Sequence, residues 1–203
     1  MEKHPTITLA RIQQFWEREL KPRHDESAPL KIETCDGEFR DEAAARANGK
    51  WRPAPAGMRY GPAYTIRWFR VTGQIPSAWA GLPVALVAEV GGERTIWRDL
   101  SPVHGLDGPH AEAILWQPAQ GGEAVDLVIQ AYTMNPQATL HGREPARQAD
   151  VAEVQTAYLT PISKAKRRLA YDVLFVMSLI EGLPETDPGR AHLLRAANQM
   201  VNT

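Results

Sequence analysis

The chain has 203 residues and a mass of 22.5 kDa, enough for one domain of ordinary size with a real hydrophobic core. Its 23 basic and 24 acidic residues are interspersed and give a formal net charge of −1, so composition favours neither a nucleic-acid partner nor an anionic membrane surface. The single cysteine, Cys35, excludes an intramolecular disulfide and fits a reducing compartment. We interpret it as a small, partly buried residue near a strand end rather than as a reactive thiol.

The first twenty residues predict an amphipathic helix of about three turns, because Leu9, Ile12, Trp16 and Leu20 recur at helical spacing. Thr8 is expected to cap its start and Pro22 to end it. Charges run through this segment, so it does not resemble a secretory signal, and no apolar run in the chain is long enough for a membrane span. We therefore expect a soluble, cytoplasmic protein with no membrane partner.

The next segment alternates polar connections with short elements. Residues 21–29 read as a linker and 30–34 as a short strand. Residues 41–48 are rich in alanine, open with an acidic residue and end at Asn48-Gly49, which predicts a short helix. Residues 51–58 contain two prolines and are expected to be irregular.

The clearest strand pattern begins at Tyr64. Alternating residues of 64–71 place large apolar groups on both faces, which predicts a central strand. Residues 75–81 form a connection, and the nearly continuous apolar run of 82–90 predicts a buried strand. After a turn at Gly91-Gly92, residues 93–99 are expected to return as a strand.

The sequence then predicts a loop over 101–110, which is dense in turn-forming residues, and strands over 111–117 and 124–134. Residues 151–160 are expected to form the last strand. The intervening 135–150 is charged and poor in large apolar groups, so we expect an exposed excursion there.

Beyond Pro161 the apolar period changes from two to 3.6, which predicts a helical hairpin. Ser163 is expected to cap the first helix and Gly182 to end it, while Asp187 and Pro188 open the second. The predicted apolar residues are Leu169, Val173, Val176 and Ile180 in the first helix, and Leu193, Leu194, Ala197, Met200 and Val201 in the second.

Together these elements predict a mostly β fold with flanking helices. We expect an antiparallel β-sandwich of the jelly-roll or galactose-binding-like type, with an N-terminal helix and a C-terminal helical hairpin. The expected divisions are 1–29 for the helix and linker, 30–160 for the sandwich and 161–203 for the helical hairpin.

A set of short motifs carries a resemblance to a known family. They are Tyr60-Gly61-Pro62-Ala63-Tyr64, Arg67-Trp68-Phe69-Arg70-Val71, Ile75-Pro76, Trp79-Ala80-Gly81 and Trp97-Arg98-Asp99, with Pro102 and Gly105-Leu106. In this order they resemble the N-terminal region of glycoside hydrolase family 38 α-mannosidases of the cytosolic and vacuolar type. Tyr171-Asp172 and Arg195-Ala196-Ala197-Asn198 extend the resemblance over roughly residues 9–202.

The resemblance implies a parent enzyme that is a retaining α-mannosidase, with an aspartate nucleophile and a zinc ion in a separate catalytic domain. That domain begins with a His-x-Asp motif, which this sequence lacks, so the resemblance implies zinc there and no cofactor here. It further implies that this chain packs on the catalytic domain, acts on mannose-containing oligosaccharides only through the full-length enzyme, and supports a homo-oligomer.

Within the chain itself we expect no catalytic residue and no metal site. The nearest approach to a ligand set is His104, Asp107 and His110, which we interpret as a solvated turn, since such a loop offers no fixed convergence. The candidate carboxylates are expected to be outward polar positions on a half-exposed sheet; they are Glu89, Glu93, Asp99, Glu112 and Asp126.

Six tryptophans also suggest carbohydrate binding, although most are expected in the core or at domain interfaces. The best candidates for a sugar-facing or catalytic-domain-facing edge are Trp97, Asp99 and His104. Two alternatives stay open: an autonomous sugar-binding sandwich, and an oligomerisation module that associates through the apolar stripes of 9–20 and 169–180.

Overall fold

The computed structural model describes residues 4–21, 24–108, 110–133 and 152–202. The chain divides into two compact units, of which one is Asp25–Ile162 and the other joins Met1–His24 to Ser163–Thr203. All described strands belong to the first unit. The predicted excursion at 135–150, and Pro22 as a helix stop, lie outside the described residues.

The described helices and strands follow one another in the order expected of a β-sandwich with helices at both ends. The helices are α1 (Pro5–Phe15), α2 (Glu42–Asn48), α3 (Lys164–Gly182) and α4 (Pro188–Val201). The strands are β1 (Ala28–Pro29), β2 (Lys31–Asp36), β3 (Arg52–Pro53), β4 (Arg59–Tyr60), β5 (Ile66–Gln74), β6 (Val84–Glu89), β7 (Glu93–Arg98), β8 (Ser101–Leu106), β9 (Glu112–Trp116), β10 (Ala124–Tyr132), β11 (Ala152–Glu153) and β12 (Thr156–Pro161).

Two antiparallel sheets form the sandwich. One has six strands in the order β3-β2-β5-β10-β7-β8, and the other has four in the order β1-β12-β6-β9. A two-stranded ladder joins β11 to β4. The predicted class, an antiparallel β-sandwich with an N-terminal helix and a C-terminal helical hairpin, is confirmed.

The central position predicted for the strand after Tyr64 is confirmed, since β5 pairs with β2 on one side and β10 on the other. Phe69 and Val71 point into the sandwich core, where they join Leu86 of β6. Trp68 points to the opposite face and is also fully buried. Full burial of one such side chain contributes about 1.5–3 kcal/mol, so β5 stabilises both faces of its sheet.

Helix α2 covers that opposite face of the six-stranded sheet. The Asp41 carboxylate accepts a hydrogen bond from the Ala44 N–H at 2.9 Å, which confirms the predicted helix start. Ala45 is fully buried against the cluster that contains Trp68. Arg46 also reaches the sheet, where its Nη1 lies 2.9 Å from Asp126 Oδ1.

The predicted loop over 101–110 is wrong for its first six residues, which form β8. This strand pairs with β7 and lies at the edge of the six-stranded sheet, where a proline such as Pro102 can be accommodated despite its missing N–H. The turn before it contains Asp99 (φ 51°) and Leu100 (φ 64°). Positive φ at both central residues is what a tight type I′ hairpin requires, and here neither residue is the usual glycine.

The strand predicted over 151–160 is two strands in different ladders. β11 pairs with β4, whereas β12 pairs with β6. Between them Val154 is fully buried in the sandwich core, and its N–H donates to the Met58 carbonyl at 2.9 Å. This contact with the loop before β4 interrupts the regular alternation, which the sequence pattern alone does not show.

In the helical unit, α1 begins at Pro5 and not at the predicted cap, Thr8. Thr8 lies buried within the helix, and its N–H donates to the His4 carbonyl at 3.0 Å. A proline at the first helical position starts the helix because its missing N–H would be unpaired there in any case. The helix continues as a π-helical turn over Trp16–Leu20.

The predicted caps of the C-terminal helices are confirmed: the Ser163 side chain accepts from the Lys166 N–H, and Asp187 from the Gly189 N–H. The predicted stripe of α3 is partly wrong, because Leu169 is exposed while Ala170 and Met177 are buried. The buried face of α3 is therefore rotated from the prediction toward the apolar cluster that it shares with α1, the π-helical turn and α4. The cluster at this contact consists of Ile12, Leu20, Ala170, Val173, Met177, Ile180, Leu194 and Ala197.

In the part of the chain that the structure describes, no helix is both long enough and apolar enough to cross a membrane.

One buried carboxylate connects α2 to the β7–β8 hairpin. Glu42 is 1% exposed, and its Oε1 accepts from Arg46 Nε at 2.7 Å while its Oε2 accepts from the Leu100 N–H at 2.8 Å. Glu42 of α2, which lies outside the hairpin, thus supplies the hydrogen-bond acceptor that stabilises this positive-φ turn.

Replacing Glu42 with alanine is expected to lower the free energy of unfolding by about 3 kcal/mol, because it leaves the Leu100 N–H without its acceptor and removes one of the two carboxylates that bind Arg46. Urea denaturation measures this loss. Glu38→Ala, which removes an exposed carboxylate four residues earlier, should change stability by less than about 0.5 kcal/mol. Equal stability of the two variants would contradict the role assigned to Glu42.

Candidate functional site

The three residues that the sequence singled out lie on or beside the β7–β8 hairpin, but in different environments. Trp97 is half-buried and lies 6.1 Å, centroid to centroid, from the buried ring of Trp68. Asp99 is exposed in the turn. His104 is exposed on the edge strand β8 and, of the three, alone lines a cleft.

This cleft has a volume of about 730 Å³ and opens beside the paired ends of β7 and β10. We call it the hairpin cleft. Its lining residues are Ile66, Glu93, Arg94, Thr95, His104, Gly105, Leu106, Asp107, His110, Glu112, Gln130 and Tyr132. A volume of this size falls in the range of small-molecule sites, which is about 300–1,000 Å³.

Cross-strand pairing explains how these residues converge. Gln130 lies opposite Thr95, and Tyr132 lies opposite Glu93. Residues two apart on a strand share a face, so these two pairs continue the face on which Trp97 lies opposite Val128. The cleft therefore begins one residue pair beyond Trp97.

Gly105 is the residue that leaves this space open. It pairs with Thr95 across the ladder, and a Cβ placed on it would meet nothing within 4 Å. Any larger side chain at this position would enter the cleft without a backbone clash.

Arg94 stabilises one wall of the hairpin cleft. It is 4% exposed, its Nη1 donates to the Ala88 carbonyl at 2.6 Å, and its Nη2 donates to the Asp107 carbonyl. Burial lowers the pKa of the Arg94 guanidinium from its ordinary value. The side chain thus fixes the segment after β8 to the four-stranded sheet.

At the mouth of the cleft, Asp107 and His110 form a local pair. Asp107 Oδ1 accepts from the His110 N–H at 2.8 Å and lies 2.8 Å from His110 Nδ1. The backbone hydrogen bond is the main reason that the pKa of Asp107 lies below its ordinary value. Among the described residues, no group of three or more His, Cys, Asp or Glu side chains is placed to hold a metal ion.

Of the candidate carboxylates, Asp126 is engaged in the ion pairs that attach α2 to the sheet. Arg70 and Arg46 both bind it, and the hydrogen bond from Arg70 is the main cause of its lowered pKa. Glu93 and Glu112 line the hairpin cleft, and Asp99 lies in the turn. All six tryptophans are buried or half-buried.

Sequence reasoning missed the convergence of Arg94, Gln130 and Tyr132, because these residues come together only through strand pairing between β7 and β10. The alternation along each strand does show which face each residue takes. It does not show which strands are neighbours.

These observations define a β-sandwich that carries a ligand-sized cleft on its hairpin edge, with polar side chains and one partly exposed aromatic ring. Comparison with known proteins then places it. The family described as alpha-mannosidase, jelly roll domain, matches residues 28–160, and the chain belongs to this family. The resemblance to α-mannosidases is thereby confirmed.

Two curated relatives match most of the chain. It is 29% identical over 172 residues to alpha-mannosidase 2C1 of Mus musculus, a match that covers 79% of this chain and 16% of that protein. It is 28% identical over 170 residues to alpha-mannosidase 2C1 of Homo sapiens, with 75% and 15% covered. The chain therefore spans less than a fifth of the length of these relatives.

Among solved structures, β-glucuronidase from Ruminococcus gnavus aligns with a TM-score of 0.47 at 11% identity, over 68% of this chain and 29% of that one. A putative β-galactosidase from Bacteroides fragilis aligns with a TM-score of 0.47 at 13% identity, over 67% and 23%.

The interpretation of Cys35 as a packed residue is confirmed. It is fully buried in β2, and burial is the main cause that raises the pKa of its thiol from 9.0 to about 11, with the neighbouring Asp36 carboxylate second. We expect Ellman's reagent at pH 8 to modify the native chain about a hundredfold more slowly than the urea-unfolded chain, because the thiolate is the reacting form.

Since the folded pKa is the higher one, the contribution of Cys35 to stability is complete below the unfolded pKa and is lost as the pH rises from 9.0 to about 11. Cys35→Ala should remove this part of the alkaline fall in unfolding free energy. Rapid modification of the native thiol would contradict the assignment.

Proposed function

We propose that this chain is the accessory N-terminal β-sandwich of a cytosolic glycoside hydrolase family 38 α-mannosidase. In this proposal the full-length enzyme hydrolyses α-mannosidic bonds of oligosaccharides with retention, and the chain described here packs against the catalytic domain. The zinc ion and the aspartate nucleophile belong to that domain. The single observation that carries the proposal is the family match over residues 28–160.

Three further features support an accessory role. The relatives are several times longer than the matched segment, which leaves room in them for a separate catalytic region. Two described carboxylates, Asp126 and Glu42, are engaged within the fold, because arginines bind both and the Leu100 N–H also donates to Glu42. The sandwich also presents a hairpin edge on which Asp99 and His104 are exposed, a surface suited to a neighbouring domain.

The proposal includes a homo-oligomer and a cytoplasmic location. A buried free thiol such as Cys35 persists without difficulty in a reducing compartment.

The purified 203-residue chain is expected to release no mannose from an aryl α-mannoside, whereas a protein that contains both this chain and the catalytic region should release it. Removing residues 25–162 from that longer protein should lower kcat/KM about tenfold or more, or lower its thermal midpoint, because the catalytic domain then exposes the surface that the sandwich covers. A matched control deletes only 135–150. Mannose release by the chain alone, or unchanged activity and stability after the deletion, would overturn the proposal.

A second candidate is an autonomous sugar-binding module, and the hairpin cleft is the observation that favours it. Tyr132 offers a partly exposed ring, while Glu93, Thr95 and Gln130 offer hydrogen-bond donors and acceptors on the same face. An aromatic surface beside several polar groups is the usual combination for a polyhydroxylated ligand.

Isothermal titration of the chain with methyl α-mannoside and α-mannobiose separates the two functions. The sugar-binding candidate predicts a dissociation constant between about 10 μM and 10 mM, loss of binding in Tyr132→Ala, and loss in Gly105→Leu, which fills the cleft. Tyr171→Ala, an exposed tyrosine of the helical unit, is the matched control and should bind as the parent does. Absence of heat with both sugars would exclude this candidate and agree with the accessory role.

A further inference from the structure

The lining of the hairpin cleft has an excess of negative charge. Among the described residues, it contains the carboxylates of Glu93, Asp107 and Glu112 and one arginine, Arg94. With its histidines neutral, the lining therefore has three negative charges against one positive charge. A cleft with this balance attracts a ligand that carries a cation and repels one that carries an anion.

The orphaned donor of Arg94 is a second observation, independent of the carboxylates, that points to a ligand. The side chain is 4% exposed, and among the described residues its Nε has no hydrogen-bond partner. Both of its Nη atoms donate to backbone carbonyls, so the guanidinium is fixed in the wall. A buried N–H group without an acceptor is unfavourable. An oxygen atom of a ligand in the cleft would supply that acceptor.

Glu93 and Tyr132 form the part of the lining that suits a cation. They lie directly opposite each other on β7 and β10, so their Cβ atoms are about 4.5–5.5 Å apart on one face of the sheet. Both side chains are exposed, and within the described part of the chain no basic side chain forms an ion pair with Glu93. A cation at this pair would contact a carboxylate and the face of an aromatic ring, and both contacts are favourable.

The next residue pair along the same face carries neutral hydrogen-bonding groups. Thr95 lies opposite Gln130, and both side chains are half-buried. The threonine hydroxyl and the glutamine amide can each donate and accept hydrogen bonds, as sugar hydroxyls can. Gly105, which lies opposite Thr95 on the other side, leaves the space beside them open.

These groups together select one class of ligand. A sugar acid or a sugar phosphate has oxygen atoms for Arg94, but the three carboxylates of the lining repel its charge. A polyamine has the favourable charge but no oxygen atom for the Arg94 N–H. A neutral sugar can form the hydrogen bonds but gains nothing from the negative charge of the cleft. A sugar that carries an ammonium group meets both requirements.

We propose that the hairpin cleft binds an amino sugar, a hexose ring with a free ammonium group. The ammonium group lies between the Glu93 carboxylate and the Tyr132 ring, and the ring hydroxyls bond with Thr95, Gln130 and the Nε of Arg94. This inference rests on the second candidate function, the sugar-binding module, and names the class of its ligand. It is independent of the accessory role.

Isothermal titration of the 203-residue chain with glucosamine and N-acetylglucosamine, at about pH 6.5, tests the inference. The two sugars share a ring and its hydroxyl groups, but acetylation removes the positive charge. Glucosamine is expected to bind about tenfold or more tightly than N-acetylglucosamine, because only glucosamine gains the contact with Glu93. Methyl α-mannoside, which is also neutral, should bind about as weakly as N-acetylglucosamine.

The variant Glu93→Gln removes the charge and keeps the size of the side chain. It should weaken glucosamine binding about tenfold, so that the dissociation constants of glucosamine and N-acetylglucosamine become about equal. Glu93 is exposed, so the circular dichroism of the variant should match that of the parent. Glu38→Gln, which changes an exposed carboxylate that does not line the cleft, is the matched control and should keep the preference for glucosamine.

Equal binding of glucosamine and the two neutral sugars overturns the inference, as does a preference that survives Glu93→Gln. Tighter binding of glucuronate than of glucosamine also overturns it, and so does spermidine that binds as tightly as glucosamine, since charge alone would then be recognised. In these cases the sugar-binding candidate still stands if methyl α-mannoside binds. Absence of heat with all three sugars overturns both, while the accessory role, which needs no ligand in the cleft, is unaffected.

Discussion

The six-stranded sheet buries large side chains on both of its faces, and the rest of the sandwich unit depends on this double burial. Trp68 and Phe69 are neighbours on β5, point in opposite directions and are both fully buried. A two-layer sandwich needs to cover only one face of each sheet. The second face of this sheet therefore requires an additional layer, and α2 with the segments around it supplies that layer.

The additional layer explains the ion pairs and hydrogen bonds that several charged residues make with the sheet. Arg46 leaves α2 to meet Asp126 on β10, while Glu42 leaves the same helix to meet the backbone of the β7–β8 turn. Each contact connects the short helix to a different part of the sheet. Helix α2 consequently stabilises the β7–β8 hairpin through the contact of Glu42 with its turn. The walls of the neighbouring hairpin cleft are formed by paired strands and by the buried Arg94.

Much of this fold could be read from the sequence because local alternation decides it. The two-sided pattern of residues 64–71 and the apolar run around β6 each predict a buried strand, and Asp41, Ser163 and Asp187 each predict a helix start that the structure confirms. The same local rules fail where a neighbour decides the outcome. Pro102 and Gly105 have the composition of a turn, yet pairing with β7 makes them part of an edge strand. Leu169 is exposed and Met177 is buried because packing against α1, the π-helical turn and α4 selects the buried face of α3.

The candidate site was harder to anticipate than the fold. His104 was singled out and does line the hairpin cleft, but Tyr132, Gln130 and Arg94 were not, since they are far from it in sequence or lie on another strand. Trp97 and Asp99 lie beside the cleft without lining it. Whether any of these residues faces sugar or the catalytic domain remains a prediction.

The helical unit is assembled from the two ends of the chain, with the whole sandwich inserted between them. During synthesis, α1 emerges before the sandwich, and its partners α3 and α4 emerge after it. At about 5–20 residues per second, the ribosome needs roughly ten seconds to make the intervening segment. Throughout that interval Ile12 and Leu20 have no partner cluster, so the sandwich can fold before the unit that flanks it. Helix α1 is therefore synthesised before the sandwich but can complete its packing only after the sandwich has been made.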